Sequence, residues 1–122
     1  MKIILDSGVL IDDLEQIMFR AIFAAAQVFN KRNIPLTITS TTSGRHMEGS
    51  LHYHGLAIDL RVWRIPHAIR QRVINELRHS LNLISHHFQV ILEEIHIHIE
   101  YDDGVQKYET PKITQTQISE HV

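Results

Sequence analysis

The sequence lacks cysteine, so the chain can form no disulfide bond and offers no thiolate to a metal ion. Any transition-metal site must therefore use imidazole and carboxylate groups. An excess of charge of one sign is also absent. The formal net charge is −2, which does not indicate a positively charged surface for binding nucleic acid. Charged residues interrupt each apolar run well before the roughly 20 residues that a membrane span needs. We therefore expect neither nucleic acid nor a membrane as a partner.

The chain begins with MKIILDSGVL, in which Asp6 ends a short apolar run. That run is too short for the core of a signal peptide, so we expect synthesis in the cytoplasm without one. At 122 residues with 43% hydrophobic side chains, the chain can bury a core without help from metal or disulfides. We expect a single domain over residues 1–122, in which the polar segment 105–122 is a last strand or a loose tail.

Hydrophobic periodicity predicts an α+β fold. Apolar residues at helical spacing indicate an amphipathic helix over about residues 12–32, with Asp12 and Asp13 in its first turn. Pro66 suits the first turn of a second helix that ends near residue 82. Alternating and β-branched residues predict strands over residues 35–41, 56–62, 88–94 and 96–102, of which the last two are separate or form one bent strand. We expect a small antiparallel sheet with two helices on one face and a metal cleft on the other.

The stretch EEIHIHIE, residues 93–100, places two histidines at alternate positions of a predicted strand. Residues two apart on a strand share a face, so His96, His98 and Glu100 point the same way. The residues expected to enter the core from the opposite face are Ile95, Ile97, Ile99 and Tyr101. The histidine face is then a row of groups that can bind metal on a rigid support.

The stretch SLHYHGLAID, residues 50–59, contains Gly55, whose backbone freedom lets the chain turn back on itself. Such a turn brings His52 beside Asp59. With a histidine from the distant strand these residues make three ligands, the number that catalytic zinc sites typically take from the protein while a fourth position stays open. The alternative is that all of them are ordinary polar side chains on the exposed face of a sheet.

The same two stretches resemble the zinc motifs of a peptidase family. Residues 50–59 match the pattern S-x-H-x-x-G-x-A-x-D, which is similar to the first zinc motif of the D-alanyl-D-alanine carboxypeptidases and L-alanyl-D-glutamate endopeptidases. The HIH sequence at residues 96–98 resembles the H-x-H motif of the wider superfamily, which includes lysostaphin and the Hedgehog signalling domain. The likeness covers roughly residues 36–102, with the motifs in the right order.

The resemblance implies a zinc ion and assigns roles around it. The implied zinc ligands are His52, Asp59 and His98. His96 and an upstream glutamate would lie beside the metal, and we choose Glu93 as the general base over its neighbour Glu94. Strand alternation from His96 would put Glu94 on the histidine face, so Glu93 needs a bend in the chain to reach the site.

Two further residues enter as substrate-binding candidates through the resemblance. Arg45 resembles the arginine with which these peptidases bind a substrate carboxylate; the alternative is a loop arginine in solvent. Ser50 either orients substrate or caps the turn that carries His52. Neither alternative is decided by the residues themselves.

The function that the resemblance implies is zinc-dependent hydrolysis of a peptide bond in the stem peptides of bacterial peptidoglycan. The bond would be that of a D-Ala-D-Ala carboxypeptidase or of an L-Ala-D-Glu endopeptidase. The short chain without a signal peptide fits a phage product that is released to the cell wall. The alternatives are an inactive, zinc-containing binding module, as the Hedgehog domain exemplifies, and a metal-free phage structural component.

Overall fold

The computed structural model describes residues 1–42 and 50–104. Two helices and five strands are found there, together with two short 3-10 turns at Leu51–His54 and His67–Ile69. In chain order the helices and strands are β1 (Ile3–Leu5), α1 (Gln16–Asn30), β2 (Leu36–Ser40), β3 (Ala57–Arg61), α2 (Arg70–Asn82), β4 (Phe88–Leu92) and β5 (His96–Tyr101). Neither helix in this part of the chain has the length and apolar character needed to span a bilayer.

The strands form one mixed sheet in the order β1-β2-β3-β5-β4. The predicted α+β class with two helices is confirmed, but the prediction of a purely antiparallel sheet is wrong. β1 pairs in parallel with β2, because α1 links the two strands and a helical crossover returns the chain in the same direction. The other neighbouring strands pair antiparallel, and β4 and β5 are separate strands of one hairpin.

The first helix is shorter than the predicted span of residues 12–32. Asp12 and Asp13 lie in a turn before α1, so the prediction that they occupy its first turn is wrong. The physical reason lies in a tertiary contact: the backbone N–H of Glu15 donates to the carbonyl of Gly55 at 2.9 Å. This bond holds residue 15 in an extended conformation, and the helix begins only at Gln16.

The core lies between the sheet and the two helices. Ile58 and Leu60 of β3 are fully buried together with Ile97 and Ile99 of β5, and all four belong to the same apolar cluster as the buried faces of α1 and α2. The predicted burial of this face is therefore confirmed at both β5 isoleucines. Ile95 is an exception, because it lies exposed in the turn that joins β4 to β5. The opposite face of the sheet is left for polar residues.

Replacing Gly55 with alanine is expected to destabilise the fold strongly. Gly55 has a φ of 72°, and a Cβ there would collide with the backbone carbonyl of Asp13. A left-handed conformation costs a non-glycine residue about 1–2 kcal/mol, and a forced backbone shift adds about 1–3 kcal/mol. The free energy of unfolding, measured by urea denaturation, should fall by on the order of 2–5 kcal/mol.

Gly8→Ala is the matched control for this variant. Gly8 also has a positive φ of 80°, but a Cβ there would meet no atom within 4 Å. This control should lose only the conformational cost of about 1–2 kcal/mol. Equal losses in the two variants would show that the close approach of residues 13 and 55 contributes nothing to stability.

Candidate metal centre

The pairing of β3 with β5 creates the centre of the site. In this antiparallel register Asp59 lies opposite His98, and Arg61 lies opposite His96. The side chains at these positions point away from the helices, since their neighbours along each strand fill the core. The Nδ1 atom of His98 lies 2.9 Å from Oδ1 of Asp59. Two residues that are 39 positions apart in the sequence are thus in direct contact on a rigid pair of strands.

The third member of the centre comes from the short 3-10 turn that precedes β3. Ser50 caps this turn, since its Oγ accepts a hydrogen bond from the backbone N–H of His52 at 3.2 Å. The turn ends at Gly55, which returns the chain into β3. The Nε2 atom of His52 consequently lies 3.3 Å from Oδ2 of Asp59. Ser50 therefore positions the turn, and its contact with substrate stays a prediction.

His52, Asp59 and His98 are close enough together to hold a metal ion. Their ligand atoms all lie within 4.8 Å of one another. His52 and Asp59 are buried, and His98 is partly buried. Two imidazoles and one carboxylate form a chemically suitable set of donors for a transition-metal ion.

The second nitrogen of each imidazole has an acceptor of its own. His52 Nδ1 lies 2.7 Å from the backbone carbonyl of Thr41, and His98 Nε2 lies 2.8 Å from Oε1 of Glu100. In the neutral form of each ring the proton lies on this nitrogen. The unprotonated Nε2 of His52 and Nδ1 of His98 then face Asp59. Acceptors of this kind fix the tautomer and the orientation of histidines that bind metal.

Neither residue was identified from the sequence as an acceptor for a histidine. Strand alternation places Glu100 on the histidine face as a group that can bind metal, and the structure shows that it contacts His98 instead. Thr41 contributes a backbone carbonyl, for which the identity of the side chain gives no signal.

The charges of the centre favour ionised Asp59 and protonated His98 when no metal is bound. Burial raises the pKa of Asp59, but its hydrogen bonds with His52 and His98 outweigh burial and hold that pKa well below its ordinary value. Burial lowers the pKa of His98, but its hydrogen bonds with Asp59 and Glu100 outweigh burial and raise that pKa to about 9. A metal ion would replace the proton that His98 Nδ1 directs at Asp59.

The turn between β4 and β5 brings Glu93 to the same face. Its backbone N–H donates to the carbonyl of His96 at 2.9 Å, which closes the turn. The Oε1 atom of Glu93 then lies 3.0 Å from Nε2 of His96, and the same nitrogen lies 3.6 Å from Oδ1 of Asp59. The chain therefore has the bend that Glu93 needs, and simple strand alternation does not hold there. The role of Glu93 as a base stays a prediction.

Glu94 lies along a groove that adjoins the centre at His96. The groove has a volume of about 380 Å³, and its lining includes Trp63 and Arg70. Trp63 is 66% exposed, and the guanidinium carbon of Arg61 lies 4.9 Å from its ring centroid. The sequence alone does not reveal this groove, because the residues that line it come from four separate segments of the chain.

The remaining predicted site residue, Arg45, lies outside the described residues, as does the segment 105–122. The chain was compared with models of protein families and with curated proteins, and it matches none of them. The side-chain arrangement and the two motifs are therefore the basis on which its function is inferred.

Proposed function

We propose that this chain is a zinc-dependent peptidase that hydrolyses a peptide bond in the stem peptides of bacterial peptidoglycan, as a D-Ala-D-Ala carboxypeptidase or an L-Ala-D-Glu endopeptidase. One observation carries the proposal: His52, Asp59 and His98 converge within 4.8 Å, beside a paired glutamate and histidine. The resemblance of residues 50–59 and 96–98 to the zinc motifs of these peptidases supports the substrate class. A Hedgehog-like fold with a zinc cleft is part of the same proposal.

The donor set supports zinc as the metal. Zinc in catalytic sites is typically held by three protein ligands, with histidine nitrogen and carboxylate oxygen among the usual donors. His52 would bind through Nε2 and His98 through Nδ1, because their other nitrogens face Thr41 and Glu100. Asp59 would supply the carboxylate oxygen.

Glu93 and His96 have complementary tasks in the proposed reaction. Bound zinc would lower the pKa of a water molecule toward about 7 and polarise the carbonyl of the scissile bond. Glu93 takes a proton from the attacking water and passes it to the leaving amine as the C–N bond breaks. His96 donates a hydrogen bond to the oxygen on which negative charge develops. Their separation of 3.0 Å keeps both groups at the same reacting centre.

The groove beside His96 is a suitable place for the rest of a peptide substrate. It is open to solvent, and Arg61 and Arg70 contribute positive charge to its lining. Stem peptides carry free carboxylates, which guanidinium groups bind by two parallel hydrogen bonds. In this proposal Arg45 binds a further substrate carboxylate, and Ser50 lies next to the bound peptide.

The pairing of Glu93 with His96 favours a hydrolase over the alternative of an inactive zinc-containing module. A module that only binds a partner has no need of a carboxylate near the metal. In this chain a carboxylate lies 3.0 Å from a histidine that itself lies 3.6 Å from Asp59.

Incubation with purified peptidoglycan and with short muropeptides tests the proposal directly. Zinc-loaded protein should release fragments whose masses identify the broken bond as D-Ala-D-Ala or L-Ala-D-Glu. Chelator should abolish the products, and added zinc should restore them. A Glu93→Gln variant gives the background of the assay. If the zinc-loaded wild-type protein releases no more product than this variant from any of the substrates, the proposed peptidase activity is wrong.

The stability that zinc confers is expected to depend on pH. In metal-free protein the pKa of His98 is raised to about 9. The contribution of His98 to the stability of the metal-free fold is therefore full below the unfolded-state pKa of about 6.5 and is lost as pH rises through about 9. The pKa of Asp59 is lowered, so its contribution is lost only in acid, below the unfolded-state value of about 3.9. His98 must lose a proton to bind zinc, and its pKa in metal-free protein is about 9, so stabilisation by zinc relative to metal-free protein declines as pH falls below about 9.

Thermal melts with and without chelator at about pH 5 and about pH 8 test this dependence, because protons compete with zinc for His98 far more strongly at the lower pH. At the higher pH, free zinc at about 100-fold above Kd adds about 2.7 kcal/mol, which raises Tm by on the order of 10 °C. At the lower pH the two melting temperatures should converge. An equal gap at both pH values would show that histidine-bound metal is not the source of the stabilisation.

A further inference from the structure

A second set of potential metal ligands overlaps the first. Asp59, Glu93 and His96 also have ligand atoms that lie within 4.8 Å of one another. His96 Nε2 is the centre of this set, at 3.0 Å from Glu93 Oε1 and 3.6 Å from Asp59 Oδ1. Asp59 is the only residue that the two sets share, and its Oδ2 atom faces His52.

We propose that Asp59, Glu93 and His96 form a second, weaker site for a divalent transition-metal ion, joined to the first site by the carboxylate of Asp59, and that an ion bound there inhibits hydrolysis. The inhibition rests on the proposed function, whereas the binding does not. The donors are again imidazole and carboxylate, which suit zinc and its neighbours in the first transition series. A carboxylate that bridges two metal ions is a familiar element of two-metal sites.

The surroundings make the second site the weaker of the two. The side chains of His96 and Glu93 are 27% and 45% exposed, whereas those of His52 and His98 are 3% and 14% exposed. Exposed ligands are less fixed in position and exchange a bound ion with solvent more readily. Ions in two-metal sites lie about 3.5–4 Å apart and repel each other, so the second binds against the charge of the first. The carboxylates of Asp59, Glu93 and Glu100 offset this repulsion in part.

An ion in the second site would occupy the groups on which hydrolysis depends. Glu93 cannot accept a proton with an oxygen that is bound to metal, and His96 cannot donate a hydrogen bond from a nitrogen bound to metal. Zinc should therefore activate the protein at low concentration and inhibit it at high concentration. The protein should be active at free zinc concentrations that lie between the dissociation constants of the two sites.

Metal stoichiometry tests the second site without any substrate. Metal-free protein is titrated with zinc against a chromophoric chelator, and bound zinc is also measured after dialysis at fixed free zinc. Wild-type protein should bind two ions with distinct affinities. His96→Gln and Glu93→Gln should each keep the tight ion and lose the weak one, and both residues are exposed enough for these variants to fold. Glu94→Gln is the matched control and should bind two ions.

A second control addresses the histidine pair before β4. His86 and His87 have ring centroids 4.1 Å apart and offer another place for a weakly bound ion. Replacing both with alanine should leave two ions bound. If that variant loses the weak ion, or if His96→Gln and Glu93→Gln both keep it, the proposed second site is wrong. A single ion in the wild-type protein also overturns it.

Activity as a function of free zinc separates this proposal from the proposed function. Protein that binds two ions as expected but cleaves no stem peptide would refute the peptidase activity and leave the second site standing. Protein that cleaves stem peptides, binds one ion and is not inhibited by excess zinc would refute the second site alone. Inhibition of the wild-type protein by excess zinc, together with a second ion that His96→Gln loses, supports both.

Discussion

Alanine at His52, Asp59 or His98 is expected to abolish tight zinc binding and peptide hydrolysis together. Each residue is one of only three proposed protein ligands, so two would remain, fewer than zinc sites in proteins use. Asp59→Ala should be the most damaging, because Asp59 contacts both histidines and leaves His98 without one of its two carboxylate partners. Zinc content after dialysis against buffer without added metal measures the effect, and hydrolysis of muropeptides should fall to background.

His54→Ala is the matched control for His52→Ala. Both residues are buried and belong to the same 3-10 turn, Leu51–His54, but His54 is not one of the three converging residues. The control should keep about one zinc ion per chain, as the three-ligand site requires. Circular dichroism of both variants separates a loss of metal from a loss of fold. If His54→Ala removes zinc as completely as His52→Ala from folded protein, the assignment of ligands is wrong.

Elements with a strong hydrophobic pattern could be predicted from the sequence, and elements held by distant contacts could not. The alternating isoleucines of β5 identify both the strand and its buried face. The three residues of β1 are too few for a pattern, and only their pairing with β2 makes them a strand. That pairing also makes the sheet mixed. The start of α1 depends on the bond from Glu15 to Gly55, which a helical periodicity cannot reveal.

The candidate site, like the fold, could be predicted from the sequence only in part. His52 and Asp59 could be grouped through the glycine turn, and the two-residue period placed His96 and His98 on one face of a strand. The choice of His98 as the third ligand came from the resemblance to the peptidase motifs. The position of Glu93 could not be derived by alternation, because the turn after β4 interrupts the strand. The carbonyl of Thr41 and the groove at Trp63 depend on which segments the fold brings together.

Glu93→Gln is expected to keep the tightly bound zinc and to lose most of the turnover. Glutamine is close to glutamate in size, so the turn at His96 should be retained, but an amide cannot accept the proton of the attacking water. General-base catalysis contributes about 10²–10⁴-fold, and kcat should fall by that factor. KM should change little, because the variant alters a group that acts in the transition state rather than one that holds the peptide.

Glu94→Gln is the control that decides between the neighbouring glutamates. Glu94 lies along the groove with Trp63 and Arg70, whereas Glu93 lies 3.0 Å from His96. The control should therefore retain kcat, and any effect should appear in KM through the loss of a charge from the groove. Both variants should bind tightly held zinc as the wild-type protein does, which excludes an indirect effect on the metal. If Glu94→Gln is the inactive variant and Glu93→Gln keeps its turnover, Glu94 is the base, and the bend at residue 93 has no catalytic purpose.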